Sequence, residues 1–282
     1  MNKLGISLWN WIEFFNNSHT KFFPTIKQIG YDIAEFGLDD FDFDPLWVKK
    51  EADACNLELS LCAVMRNGRD ISNEDICIRK ATKEYLKRCL ETASILGVKT
   101  IGGAVYSGGG KSRMLTEDQR KAEWDLAVTE LRSLSNTASD YGVTICIEPL
   151  NRYKTDMVNT VMQAKKMVDD IGENCFGVLF DTYQAGIEEK SIPDAIRLLG
   201  RKYLTRFHAS ENDRGCPGTG QTDWGGVFTA LDEIGYREPV VVESFCVSPR
   251  DSIWHPTEQT QDILAQKAYQ FLRENLARNY TR

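Results

Sequence analysis

The chain has 282 residues, 42% of them hydrophobic, with 34 basic against 41 acidic side chains and a net charge of −7. That length and apolar content suit one large core rather than several small ones, and acidic residues spread along the whole chain disfavour nucleic acid as a partner. The eight cysteines, at 55, 62, 77, 89, 146, 175, 216 and 246, form no CxxC pair and no structural-zinc spacing with histidine, so they read as reduced thiols of a cytoplasmic protein.

The opening stretch, MNKLGISLWNWIEFFNNSHT, is too broken by polar residues to be a secretory leader, and no apolar run is long enough to span a membrane. From there, short runs rich in β-branched residues alternate with longer segments of helical period. The runs KLGIS (3–7), DIAEF (32–36), ELSLCAV (58–64), TIGGAV (100–105), TICIE (144–148), FGVLFD (176–181), LTRFHA (204–209) and PVVVES (239–244) predict strands. Helices are expected at about 20–30, 45–55, 76–97, 116–141, 160–171, 191–199, 224–234 and 257–278.

Eight strand–helix pairs in a chain of this length predict a single closed (β/α)8 barrel occupying 1–282 as one domain. An open doubly wound sheet is the competitor. Against it, the first strand–helix turn, SLWNWIEFFNN, has no glycine fingerprint for a dinucleotide, and GGAVYSGGGK does not match GxxxxGK[ST]. GGGKS (108–112) therefore reads as a flexible loop. No proline-rich linker, low-complexity tract or sequence repeat divides the chain.

A barrel of this kind carries its chemistry at the carboxyl ends of its strands. The fifth predicted strand ends in Glu148, the sixth in Asp181 and the eighth reaches Glu243, while His208 lies near the end of the seventh. One carboxylate at a strand end commonly caps the next helix or pairs with an arginine. Four ionisable groups on successive strands are a different matter. Neighbouring strands lie about 4.8 Å apart, so three carboxylates would converge and repel unless a cation sat among them. A divalent metal held by Glu148, Asp181, His208 and Glu243 resolves the conflict, and one nitrogen with three oxygens suits Mn2+, with Mg2+ or Co2+ as alternatives.

The blocks IEPLNRY (147–153), FDTYQAGIEEKSIPDAI (180–196), HASENDRGCPGTGQTDW (208–224) and VVVESF (241–246) resemble those of the sugar isomerase/epimerase superfamily of xylose-isomerase-like barrels. Within it, the chain is most similar to the D-tagatose 3-epimerase and D-psicose (D-allulose) 3-epimerase family, and the similarity runs over nearly its whole length. The resemblance implies a metal-dependent ketose 3-epimerase, a small sugar as substrate, and a homodimer or homotetramer. It places the family's metal ligands on Glu148, Asp181, His208 and Glu243, and its substrate arginine on Arg214.

The chemistry is coherent. The hydrogen on C3 of a ketose is acidic because the C2 carbonyl is adjacent, and a metal bound through O2 and O3 stabilises the enediolate. Epimerisation then needs one base on each face, roles that fall to Glu148 and Glu243. Arg214 is expected on substrate O2, and Glu211 is expected to orient Arg214 or His208. Trp9, Trp11, Tyr106 and Trp254 are candidates for an aromatic wall, of which one or two are expected to reach the pocket.

Two positions depart from the family. Lys154 stands where the epimerases carry a glutamate, and Gln184 where they carry a histidine. Lys154 either opens the pocket to a substrate with an anionic group such as phosphate or carboxylate or makes no substrate contact there, and Gln184 keeps a hydrogen-bonding side chain without a titratable one. The alternatives are an aldose–ketose or hydroxypyruvate-type isomerase, or a lyase acting on 3-oxo-glycosides. A DNA-repair endonuclease on this barrel would need more than the chain's three histidines for its zinc cluster.

Overall fold

A computed structural model of the chain describes residues 2–66, 68–249 and 253–279. Its strands are β1 (Leu4–Ser7), β2 (Ile33–Leu38), β3 (Glu58–Ala63), β4 (Thr100–Gly103), β5 (Thr144–Ile147), β6 (Phe176–Asp181), β7 (Leu204–Ala209) and β8 (Val240–Val242). They pair in parallel in chain order, and β8 returns to pair with β1, with Gly5 opposite both Ile33 and Val241. The result is the closed eight-stranded barrel expected from the alternating pattern, formed as a single (β/α)8 unit.

Around it lie α1 (Phe23–Ile29), α2 (Pro45–Ala54), α3 (Ile76–Leu96), α4 (Glu117–Arg132), α5 (Ser135–Tyr141), α6 (Val161–Ile171), α7 (Thr182–Glu188), α8 (Ile192–Tyr203), α9 (Trp224–Glu233) and α10 (Gln261–Asn279). Local chemistry sets their ends. Thr116 with Gln119, and Thr160 with Gln163, form capping boxes at α4 and α6. Gly97 and Gly172 close α3 and α6 in the left-handed conformation.

The segment expected as one helix over 116–141 is two. Ser133 Oγ donates to the Glu130 carbonyl at 2.6 Å and Ser135 Oγ to the Arg132 carbonyl at 2.7 Å, and these side-chain bonds compete with the helical ladder at the break. The short α7 was not expected. It forms because Asp181, the last residue of β6, accepts from Tyr183 N at 2.9 Å and so caps a helix directly on the strand.

Residues alternate between the barrel interior and the helical layer. Phe207 faces outward, with its ring 5.5 Å from Phe180 and 6.2 Å from Tyr236. Its neighbours Arg206 and His208 point inward, 6% and 0% exposed. GGGKS is anchored rather than free: Gly108 N donates to Asp70 at 3.0 Å and Lys111 Nζ lies 2.6 Å from the same carboxylate.

Candidate active site

Sheet register brings the strand ends together. Asp181 pairs with His208 across β6 and β7, and Glu243 N donates to the Ala209 carbonyl at 3.1 Å one step beyond β8. Glu148 N donates to the Gly103 carbonyl at 3.1 Å, just past β5. As a consequence Glu148, Asp181 and Glu243 each place a carboxylate oxygen within 4.8 Å of the others. Glu243 joins this group to His208, whose Nδ1 lies 3.1 Å from Glu243 Oε1. All four side chains are buried.

The donor set suits a divalent cation. Three hard carboxylate oxygens converge, and Glu243 connects them to the imidazole of His208. His208 Nδ1, although close to Glu243, has no aligned hydrogen-bond partner. A second group of possible ligand atoms, Glu35, Cys62, His208 and Glu243, adjoins the first through Glu243 and shares two members with the predicted set.

Charge is unevenly distributed among these groups. Burial raises Glu148 well above the usual carboxylate range, and the nearby Glu243 charge adds to the effect. Burial likewise lifts Asp181 to about 7 against the pull of Arg214. Glu243 goes the other way, because the positive His208 and Arg214 outweigh its burial and hold it below its ordinary value. For His208 burial opposes the charge, but Glu35 and Glu243 overcome it and raise the imidazole well above its ordinary value.

Arg214 enters from the loop after β7. Its Nη1 lies 2.7 Å from Asp181 Oδ2 and 2.9 Å from Glu243 Oε2, and its guanidinium stacks 4.0 Å over the Tyr183 ring. The residue has φ +63°, an unusual conformation for a side-chain-bearing residue. Glu211 holds the loop in place. Its carboxylate accepts from Gly218 N at 2.9 Å, Thr222 N at 2.9 Å, Asn212 N at 3.2 Å and Trp224 Nε1 at 2.8 Å. Its carboxylate is taken up by the loop backbone and by Trp224, and its carbonyl accepts from Arg214 N at 3.0 Å, so any orienting of Arg214 runs through the loop.

A cavity of about 170 Å³ opens onto the carboxylates, with Glu148, Lys154, Gln184, Arg214 and Glu243 in its lining. Gln184 Oε1 accepts from Asn151 N at 2.9 Å and Asn151 Nδ2 at 2.7 Å, which fixes the amide. Of the four aromatic candidates only Trp9 lines the cavity, stacked on Phe245 at 5.4 Å. Tyr106 is fully buried and donates to the Glu148 and Val158 carbonyls, Trp11 donates to Asp262, and Trp254 is 64% exposed.

Sequence reasoning missed Glu35, Arg206, Phe245 and Arg66. The first two had a visible signal, a single charge inside each of the apolar strands IAEFGL and LTRFHA. Glu35 is held at about 2: burial pushes it up, but the His208 and Arg206 charges outweigh that penalty.

The profile of the xylose isomerase-like TIM barrel family matches residues 23–274. A ketose 3-epimerase of Arthrobacter globiformis is 32% identical over 258 residues, covering 89% of this chain and 88% of the relative. The structure of an L-ribulose 3-epimerase superposes with a TM-score of 0.92 at 27% identity, covering 100% of this chain and 96% of the other. A D-psicose 3-epimerase from Clostridium cellulolyticum H10, solved with D-tagatose, gives a TM-score of 0.88 at 29% identity, covering 97% and 99%. The chain therefore belongs to the xylose isomerase-like TIM barrels and, within them, to the ketose 3-epimerases, which are carbohydrate-epimerising enzymes.

Proposed function

We propose that this enzyme inverts C3 of a small ketose with the aid of one divalent cation, Mn2+ being the best match, held by Glu148, Asp181, His208 and Glu243. The observation that carries the reading is the convergence of three buried carboxylates within 4.8 Å, two of them, Glu148 and Glu243, lining a cavity of about 170 Å³, with His208 Nδ1 lacking an aligned hydrogen-bond partner beside Glu243. The chemistry a bound cation supplies is Lewis-acid withdrawal of electron density from the oxygens flanking the C3–H bond.

The remaining work belongs to the chain. Glu148 and Glu243 follow β5 and β8, on the two flanks of Asp181 and His208, and serve as the opposed bases: one takes the C3 proton while the other returns one to the opposite face. Arg214, fixed between Asp181 and Glu243, presents its planar donors to a substrate oxygen on which negative charge grows. Trp9 and Phe245 offer an apolar wall to the carbon chain and limit water at the reacting carbon.

The cavity lining also favours one refinement. Lys154 and Arg66 both line it, so a ketose bearing a phosphate or carboxylate is an additional substrate class.

Incubation of the Mn2+-loaded protein in D2O with free ketoses, ketose phosphates and 3-oxo-glycosides, followed by NMR, tests these readings together. Deuterium at C3 with formation of the C3 epimer is expected. Label at C1 with an aldose product would replace the epimerase with an isomerase, and release of an aglycone would replace it with a lyase. Glu148→Gln and Glu243→Gln should each lower turnover by about 10²–10⁴-fold or more. Near-normal turnover in either variant, at saturating Mn2+, contradicts the two-base scheme.

A further inference from the structure

Beneath His208, the barrel interior contains three polar side chains that the proposed reaction does not use. Glu35 of β2 is 0% exposed, Arg206 of β7 is 6% and Ser60 of β3 is 9%. Apolar side chains ordinarily fill this space in such barrels, and a buried ion pair is often no more stabilising than the hydrophobic residues that could replace it. Fold stability alone therefore does not account for the group.

The carboxylate of Glu35 is tightly constrained. Arg206 Nη2 donates to its Oε2, and Ser60 Oγ donates to the same oxygen at 2.8 Å. Arg206 is itself anchored through Nη1 to the Leu61 carbonyl at 2.6 Å and through Nη2 to Ser60 Oγ at 2.8 Å. Gly102 makes room for the guanidinium, since a Cβ there would lie 2.9 Å from Arg206 Nη1 and 2.4 Å from Leu179 Cδ1.

Held in this way, the carboxylate meets one edge of the His208 ring. Nε2 is 3.3 Å from Oε2, in hydrogen-bonding alignment, and 3.1 Å from Oε1, which is nearer but misaligned. The opposite edge carries Nδ1, 3.1 Å from Glu243 Oε1.

A neutral imidazole has one proton, and a metal takes the bare nitrogen. We infer that Glu35, locked by Arg206 and Ser60, is a positioning residue that fixes the His208 proton on Nε2 and so presents Nδ1 as the metal ligand. The inference rests on the proposed reading of His208 as a ligand, and it identifies which nitrogen binds and what orients it. Glu35 touches neither substrate nor cation; it acts through the histidine.

The test is Mn2+ titration, by calorimetry or by the EPR signal of free Mn2+, on the parent protein, Glu35→Gln, Glu35→Leu and the double variant Glu35→Leu/Arg206→Met. The double variant leaves no unpaired buried charge, so it separates positioning from folding. Affinity should fall about 10–100-fold in Glu35→Leu and in the double variant, and less in Glu35→Gln, which keeps an acceptor for Nε2–H. A second readout is the 15N–1H correlation of His208 in the Zn2+-loaded parent, with the proton expected on Nε2. A proton on Nδ1 there, or a folded double variant whose Mn2+ affinity lies within about twofold of a Mn2+-binding parent, overturns the inference alone. A parent that takes up no Mn2+ overturns the metal reading, and this inference with it.

Discussion

Asp181 and Glu148 share a desolvated corner with Glu243, where Arg214 pairs with Asp181 and Glu243 but ionisation of all three carboxylates remains costly. In the metal-free protein, burial lifts Asp181 to about 7 and raises Glu148 further above its ordinary range, while Glu35 and Glu243 raise His208 against its burial. Asp181, Glu148 and His208 hold protons that the unfolded chain has released, so above about pH 6 their contribution to stability should fall as pH rises through neutrality; Glu35 and Glu243, held below their ordinary values, act in the opposite sense and lose their contribution only as pH falls below about 5. Cation uptake must expel the same protons, so Mn2+ affinity should rise with pH from 5 to 8. Calorimetry in two buffers of different ionisation enthalpy measures the protons released; uptake without release contradicts the assigned ligands. The convergence of Glu148, Asp181 and Glu243, with His208 beside Glu243, was legible because each stands at or near the end of an apolar strand. The Glu35–Arg206 pair was not, because its members are 171 residues apart and only barrel closure reveals that they meet.

At the scale of elements, the loop between β7 and α9 shows how a site can depend on residues that do not enter it. Arg214 sits at φ +63° between two carboxylates, and Glu211 keeps it there indirectly through its bonds to Asn212, Gly218, Thr222 and Trp224. Glu211→Ala leaves those donors unsatisfied and should cost about 1–3 kcal/mol of stability. Substrate KM should rise about tenfold while Mn2+ affinity stays at the parent value, because no proposed ligand is on this loop. Unchanged KM with lowered stability would reduce Glu211 to a purely structural role. The turn residues CPGTGQTDW announced a loop, but which carboxylate organised it depended on Trp224 folding back over Glu211, a contact outside any local pattern. The same limit explains α7: its cap is the very Asp181 that was read as a ligand, so one side chain serves both the helix and the site.

For the whole molecule, the proposed ligands come from four consecutive strands, β5 to β8, and β8 is also the strand that closes the barrel against β1. A cation bound there links half the barrel, including its closure, and binds the native state alone. At a free Mn2+ concentration 100 times the dissociation constant, that linkage contributes about 2.7 kcal/mol. For a domain of this size each kcal/mol raises the melting temperature by roughly 2–4 °C, so Mn2+ should raise it by about 5–11 °C and EDTA should reverse the change. His208→Ala should retain little of the shift at the same Mn2+ concentration, because the missing nitrogen weakens binding. Lys154→Ala, which alters the cavity wall and none of the ligands, should retain all of it. Scanning calorimetry on the three proteins distinguishes the cases: equal shifts in the parent and His208→Ala would remove His208 from the ligand set, and no shift in the parent would remove the cation from the site.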